Sequence, residues 1–177
     1  AYFAASVGRR VADRLLPRRE GADPVRVEAA LGAIAGADWV FAGPGSPTYA
    51  LRQWRGTDFP RLLADKLAHG GCVVFASAAA LTVGAYTVPV YEVYKAGDDP
   101  VWAEGLDLAA PVLGADMAVV PHYDNAEGGT HDTRFCYLGE RRLRLLEAAL
   151  PEGAFVLGVD GHTALMLDLE RGSASVA

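Results

Sequence analysis

Cys72-Val73-Val74-Phe75-Ala76-Ser77-Ala78-Ala79-Ala80 is the stretch on which the reading of this chain turns. An apolar run ends on a lone serine, and alanines follow. The pattern predicts a buried strand, a tight turn with Ser77 at its apex, and the start of a helix. Such an elbow lifts a hydroxyl above the sheet and sets it beside helix N–H groups. Small residues around the apex allow strand and helix to pack closely. An ordinary strand-to-helix turn with Ser77 as N-cap explains the same letters. On this segment alone the cap is the commoner reading, so the surrounding chain has to decide.

Strand and helix signals alternate outward from it. Asp23-Pro24 before Val25-Arg26-Val27-Glu28-Ala29-Ala30-Leu31 predicts a capped helix with proline in its first turn. Asp38-Trp39-Val40-Phe41-Ala42 is a short apolar strand that runs into the turn Gly43-Pro44-Gly45-Ser46-Pro47. Residues 48–54 predict a short helix. Residues 59–69 carry Leu62, Leu63 and Leu67 at helical spacing and close on Gly70-Gly71. Residues 81–86 are expected to continue the helix after Ser77. Residues 116–120 predict another strand, ending at Pro121-His122, and 139–150 an amphipathic helix. Residues 155–159 and 164–168 are expected to be strands paired with each other. Short apolar strands separated by helices imply a mostly parallel sheet with helices on both faces, a three-layer α/β/α arrangement. Sites in such sheets lie beyond the C-terminal ends of the strands. Three of these strands end on Gly43-Pro44-Gly45, Ser77 and His122, and that convergence outweighs the capping reading of Ser77.

The 177 residues suffice for one domain with a full core, assigned to the whole chain, 1–177. With 51% hydrophobic residues the chain is expected to be globular. A net charge of −6 without a long basic run argues against nucleic acid or an anionic membrane as partner. The longest apolar stretch, 72–91, is broken by Ser77, Thr82, Gly84 and Pro89 and is no membrane span. No signal peptide is evident, and Cys72 and Cys136 form no zinc or redox pattern, so reduced thiols and a cytoplasmic location are expected. Nothing in the pattern calls for a cofactor or a metal. The segment Ala1-Tyr2-Phe3-Ala4-Ala5-Ser6-Val7-Gly8 reads as the end of a helix, and a first strand before it is expected to be missing.

Serine needs a base to act as a nucleophile. His122, in Pro121-His122-Tyr123-Asp124-Asn125, follows a buried strand at the expected site edge and is the best-placed candidate for Ser77. His69 reads as a helix-end cap or simply a solvated residue, His131 as part of a polar glycine-rich rim, and His162 as a turn residue. A base needs an orienting acid, and Asp160 and Asp124 are the candidates. Asp160 sits at a strand end, whereas Asp124 is close enough to His122 to serve the same backbone turn. Either aspartate could equally stabilise its turn. Oxyanion donors would come from the amide after the nucleophile, Ala78, and from Gly45, since Pro44 has no N–H. The Gly43-Pro44-Gly45 turn lacks the Lys-Ser/Thr ending of a phosphate loop.

A Gly-x-Gly turn, a strand ending in Ser-Ala-x-Ala, then Pro-His-Tyr, then Asp132-Thr133-Arg134 before a helix form an ordered set. In this order the chain resembles the peptidase E and cyanophycinase group of serine peptidases, over residues 39–169. The resemblance implies a class I glutamine amidotransferase-like (flavodoxin-like) fold. It implies Ser77 as nucleophile, His122 as base, Gly45 and Ala78 as oxyanion donors, and Arg134 as the group holding an acidic side chain of a short peptide substrate. Arg134 also reads simply as a solvated residue at a helix start. Phe75 and Ala79 stand where the group carries elbow glycines. In Val159-Asp160-Gly161-His162, glycine stands where its glutamate is expected. The sequence therefore leaves two readings, a serine peptidase or a catalytically impaired relative that binds a small ligand or partner in the same cleft. A homodimer is compatible with either.

Overall fold

The computed structural model describes Val11 and residues 21–177. The helix end expected at residues 1–8 lies outside the described residues.

The first helix, α1 (Pro24–Ala35), starts as its sequence dictates. Asp23 is the N-cap, its carboxylate accepting from the Val25 N–H at 3.0 Å, and Pro24 opens the first turn. Strand β1 (Trp39–Ala42) follows and pairs in parallel with β2 (Cys72–Phe75), Trp39 opposite Cys72 and Ala42 opposite Phe75. Between them lie α2 (Pro47–Trp54), capped by the Ser46 hydroxyl, and α3 (Phe59–Ala68). Leu31, Leu51, Phe59 and Leu63 from these helices bury against Val40, Val73 and Phe75 of the strands in one apolar cluster. The helical periodicity of Leu62, Leu63 and Leu67 thus marks the helix correctly, with Leu63 as its fully buried member.

A second sheet runs in the order β4–β3–β5–β6, with β3 (Tyr86–Thr87), β4 (Ala103–Glu104), β5 (Met117–Pro121) and β6 (Phe155–Val159). Strands β3 and β6 flank β5 in parallel, and only β4 is antiparallel. Every residue of β5 is buried. Its side chains alternate between two clusters, as a strand covered on both faces requires. Val120 packs with Leu138, Leu143 and Leu146, the last two on α5 (Gly139–Ala148). Met117 and Val119 pack on the other side with Ala109, just ahead of α4 (Ala110–Leu113). The architecture is α/β with mainly parallel strands.

Three expectations are corrected. The chain after Ser77 does not enter a full helix: a three-residue 3-10 turn, Ala80–Thr82, is followed directly by β3. Fully buried Thr82 and Thr87 explain the interruption. The Thr82 hydroxyl bonds back to the Ala79 carbonyl and the Thr87 hydroxyl to the Leu81 carbonyl, satisfying groups that a continuous helix would have paired otherwise. The two C-terminal strand segments do not pair with each other. Strand β6 joins β5, while β7 (Leu165–Asp168) forms an antiparallel hairpin with β8 (Ser173–Val176), a strand the sequence pattern had not revealed. Finally, Cys72 lies exposed at the start of its strand.

Gly84 fixes how the turn after Ser77 meets β5. A Cβ built on Gly84 would sit 2.1 Å from the Met117 carbonyl oxygen and 2.9 Å from its carbon. Only a residue without a side chain permits that approach of backbone to backbone.

Candidate active site

β1 and β2 run parallel and end side by side at Gly43-Pro44-Gly45 and Ser77, and the hydrogen bond between Ser77 and His122 brings the C-terminal end of β5 to the same place. Two backbone features single out the central pair. Ser77 has φ 54° and His122 φ 51°, both in the left-handed region that non-glycine residues rarely adopt. Ser77 therefore holds the constrained backbone expected of an elbow, even with Phe75 and Ala79 in the flanking positions. The Leu81 N–H reaches back to the Ser77 carbonyl at 3.4 Å, and the Ala79 N–H to the Ala76 carbonyl at 3.2 Å, which closes the turn under the hydroxyl.

His122 Nε2 and Ser77 Oγ lie 2.9 Å apart, although 45 positions separate them in the chain. With the imidazole proton on Nδ1, Nε2 accepts from the hydroxyl, the arrangement that activates a serine. The Ala78 amide follows the serine in a buried turn, and neither it nor the Gly45 amide donates to any acceptor among the described residues. Beyond Gly45, the Ser46 and Thr48 hydroxyls stand 3.0 Å apart, and Thr48 donates to Glu92 Oε1 at 2.6 Å. This network, which the sequence did not signal, ties the first turn of α2 to the segment after β3. The other Glu92 carboxylate oxygen is buried without a hydrogen-bond partner among the described residues.

The acids are arranged differently. Asp124 Oδ1 accepts from the Gly161 N–H at 2.6 Å, tying the His122 turn to the turn after β6. Asp160 is exposed, and its charge bears on Tyr123, whose phenol is pushed up first by burial and then by Glu147 and Asp160. Neither carboxylate hydrogen-bonds the His122 ring. In the β5–β6 register Pro121 lies opposite Val159, so Asp160 leaves the ladder beside His122 with its side chain in solvent. Gly158 permits this packing: the Tyr123 ring lies 2.5 Å from where a Gly158 Cβ would stand.

Arg134 is held within its own loop. Its guanidinium makes a two-pronged contact with Asp132, Nε to Oδ1 and Nη2 to Oδ2, both 2.8 Å, and a further bond to Glu140 at 3.1 Å. The fork matches a carboxylate as expected, but the carboxylates are the protein's own. The same contacts hold the Asp132 carboxyl well below its ordinary range, the Arg134 hydrogen bond being the largest cause. Of the other histidines, His69 Nδ1 sits 2.6 Å from the Asp65 carbonyl at the end of α3, the capping role its position implied. His131 is exposed in its loop, and His162 occupies a turn with φ 59°. Among the described residues, no group of three His, Cys, Asp or Glu could hold a metal ion, and no helix is long and apolar enough to cross a membrane.

The feature sequence reasoning missed is the segment that backs His122. Phe135, Cys136 and Tyr137 are successively left-handed, with φ 61°, 55° and 66°. One such residue is uncommon. A run of them costs about 1–2 kcal/mol per residue for L-amino acids. Phe-Cys-Tyr carries no glycine or asparagine to announce it. Cys136 is buried there, and burial pushes its thiol up to about 12.

No family model and no curated protein matches the chain. Solved structures do. One is a peptidase from an acI-B1 Actinobacterium, at 19% identity and a TM-score of 0.59, covering 84% of this chain and 52% of that one. Another is a protein of Listeria monocytogenes EGD-e described as a candidate peptidase E, at 13% identity and a TM-score of 0.54, covering 90% of this chain and 81% of that one. The chain thus spans about half the length of the actinobacterial peptidase. At these identities the likeness is one of fold, and the fold is that of peptidase E-like proteins, α/β with mainly parallel strands.

Proposed function

We propose that this chain is a serine hydrolase of short peptides, with Ser77 as nucleophile and His122 as base. The observation that carries the reading is the 2.9 Å contact of Ser77 Oγ with His122 Nε2, made by two residues whose left-handed backbones are hard to account for otherwise. In this mechanism Nε2 takes the hydroxyl proton as Oγ attacks the peptide carbonyl. The oxyanion forms against the Ala78 and Gly45 amides. The imidazolium then protonates the leaving amine, and water repeats the sequence on the acyl-enzyme. By position in the chain Asp160 is the acid of this site, following β6 as His122 follows β5, while Asp124 holds the neighbouring turn through the Gly161 N–H.

An active-site-directed fluorophosphonate tests the reading. The expected result is a single adduct on Ser77, lost in His122→Ala; an adduct elsewhere, or none, overturns it. The absence of a carboxylate hydrogen-bonded to His122 favours a second reading, a relative that binds its ligand in this cleft without turnover. That reading gains if the fluorophosphonate leaves Ser77 unmodified.

Arg134 gives the finer proposal, a preference for substrates with an acidic, aspartyl residue. Because Asp132 and Glu140 already occupy the guanidinium, a substrate carboxylate has to exchange with one of them. The site is half exposed, so the exchange is worth less than a buried pair. Arg134→Met is expected to lower kcat/KM on Asp-containing dipeptides about tenfold more than on Ala-containing ones, and Arg134→Lys to restore part of it. Equal losses on both substrates would remove Arg134 from specificity.

A further inference from the structure

We infer that the left-handed turn Phe135–Tyr137 is the positioning element that sets the His122 imidazole against Ser77. The inference rests on the Ser77–His122 reading of the site and adds the device that holds it. His122 itself lies in the left-handed region, and its carbonyl accepts the Cys136 N–H at 3.1 Å as well as the Asn125 N–H at 3.2 Å. The next carbonyl, of Tyr123, accepts the Phe135 N–H at 2.9 Å. Two consecutive amides of the turn therefore grip two consecutive carbonyls of the histidine loop. Phe135 and Cys136, whose N–H groups make these two bonds, both have left-handed φ.

The surroundings over-determine this conformation, as a strained segment requires. Phe135 packs edge-on to Tyr123 with centroids 4.6 Å apart, and the Arg134 guanidinium lies 5.0 Å from the centroid of the same Phe135 ring. The Tyr137 ring packs on Tyr94 at 5.1 Å, and its hydroxyl donates to Glu127 at 2.6 Å. Cys136 is sealed in the core with Val120 of β5, the strand that carries His122. The Tyr137 N–H and Gly139 N–H return to the Thr133 and Arg134 carbonyls, closing the turn on itself. On this account Asp132 and Glu140 clamp Arg134 because the loop must be anchored at both ends. Cys136 and Tyr137 are positioning residues that never touch substrate.

The test exploits the steric difference between side chains in the left-handed region. A β-branched residue is a severe outlier there and glycine is at ease. Cys136→Val is expected to push the turn out of its conformation and release the His122 carbonyl, whereas Cys136→Gly keeps the N–H donor and the geometry. Imidazole 15N–1H spectra at fixed pH provide a readout independent of activity. In wild type and in Cys136→Gly, the His122 resonances should respond to an added Ser77→Ala; in Cys136→Val that response should vanish. Fluorophosphonate labelling of Ser77 should fall roughly 100-fold in Cys136→Val, the scale of a misplacement of about 1 Å, and little in Cys136→Gly. If Cys136→Val does not fold, Tyr137→Val against Tyr137→Gly makes the same comparison at a half-buried position. A merely structural turn would lower stability in both members of a pair and leave the His122 response to Ser77 intact, which overturns the inference. So does a wild type in which His122 never senses Ser77. Absent labelling with a normal spectroscopic response, by contrast, rejects the hydrolase reading and leaves the positioning role standing.

Discussion

Ser77→Ala is expected to reduce peptide turnover by on the order of 10⁴-fold or more while leaving the fold unchanged. The size of the loss follows from the role assigned to Oγ: removing it removes the covalent step, so only binding and the oxyanion donors remain to accelerate attack by water. The small effect on stability follows from the environment. Ser77 is half-buried at the edge of the sheet, and its hydroxyl's one hydrogen bond among the described residues is to His122. Losing an exchangeable hydrogen bond of this kind costs about 1 kcal/mol. Alanine at a left-handed position is no easier than serine, so no strain is released. The measurement is kcat/KM on a dipeptide panel together with thermal melts of both proteins. Turnover equal to wild type would place the nucleophile elsewhere. A collapse of the melting temperature would mean that the hydroxyl is structural.

Gly84→Ala should produce a large loss of stability. The new Cβ would lie 2.1 Å from the Met117 carbonyl oxygen, and the clash is with backbone, which cannot rotate away. Overpacking typically costs about 1–3 kcal/mol and more where nothing gives, so a loss of about 3 kcal/mol is expected. That corresponds to a fall of roughly 6–12 °C in melting temperature for a chain of this size. The Gly84 carbonyl also accepts the Asp107 N–H at 3.0 Å, so the displacement spreads to the segment after β4. Because Gly84 joins the turn after Ser77 to the strand that ends at His122, folded Gly84→Ala protein should also label more slowly with fluorophosphonate. Circular dichroism melts and labelling rates check the two effects separately. A melting temperature within about 2 °C of wild type would show that β5 can shift away from the turn.

What the sequence determined by itself was local. Asp23-Pro24 started a helix because a cap and a fixed φ act within a few residues. The apolar runs that became β1, β2 and β5 were legible as strands from their composition alone, although only β5 is buried throughout, β2 being exposed to half-buried. Gly43-Pro44-Gly45, Ser77 and His122 could be assigned to one edge because parallel strands force it. Tertiary structure decided the rest, because each remaining outcome depended on groups far apart in the chain. Strand β6 pairs with β5, a partner far off in the chain that no local pattern encodes, and β7 is left to pair with β8. The helix expected after Ser77 gave way to a 3-10 turn because the Thr82 and Thr87 hydroxyls found buried carbonyls to bond. Arg134 looked available on the page of letters, but folding set Asp132 and Glu140 around its guanidinium. The left-handed Phe135–Tyr137 run contradicts the intrinsic preference of its own residues. Only the packing of Tyr123, Tyr94 and Val120 around it makes that conformation the lowest in free energy.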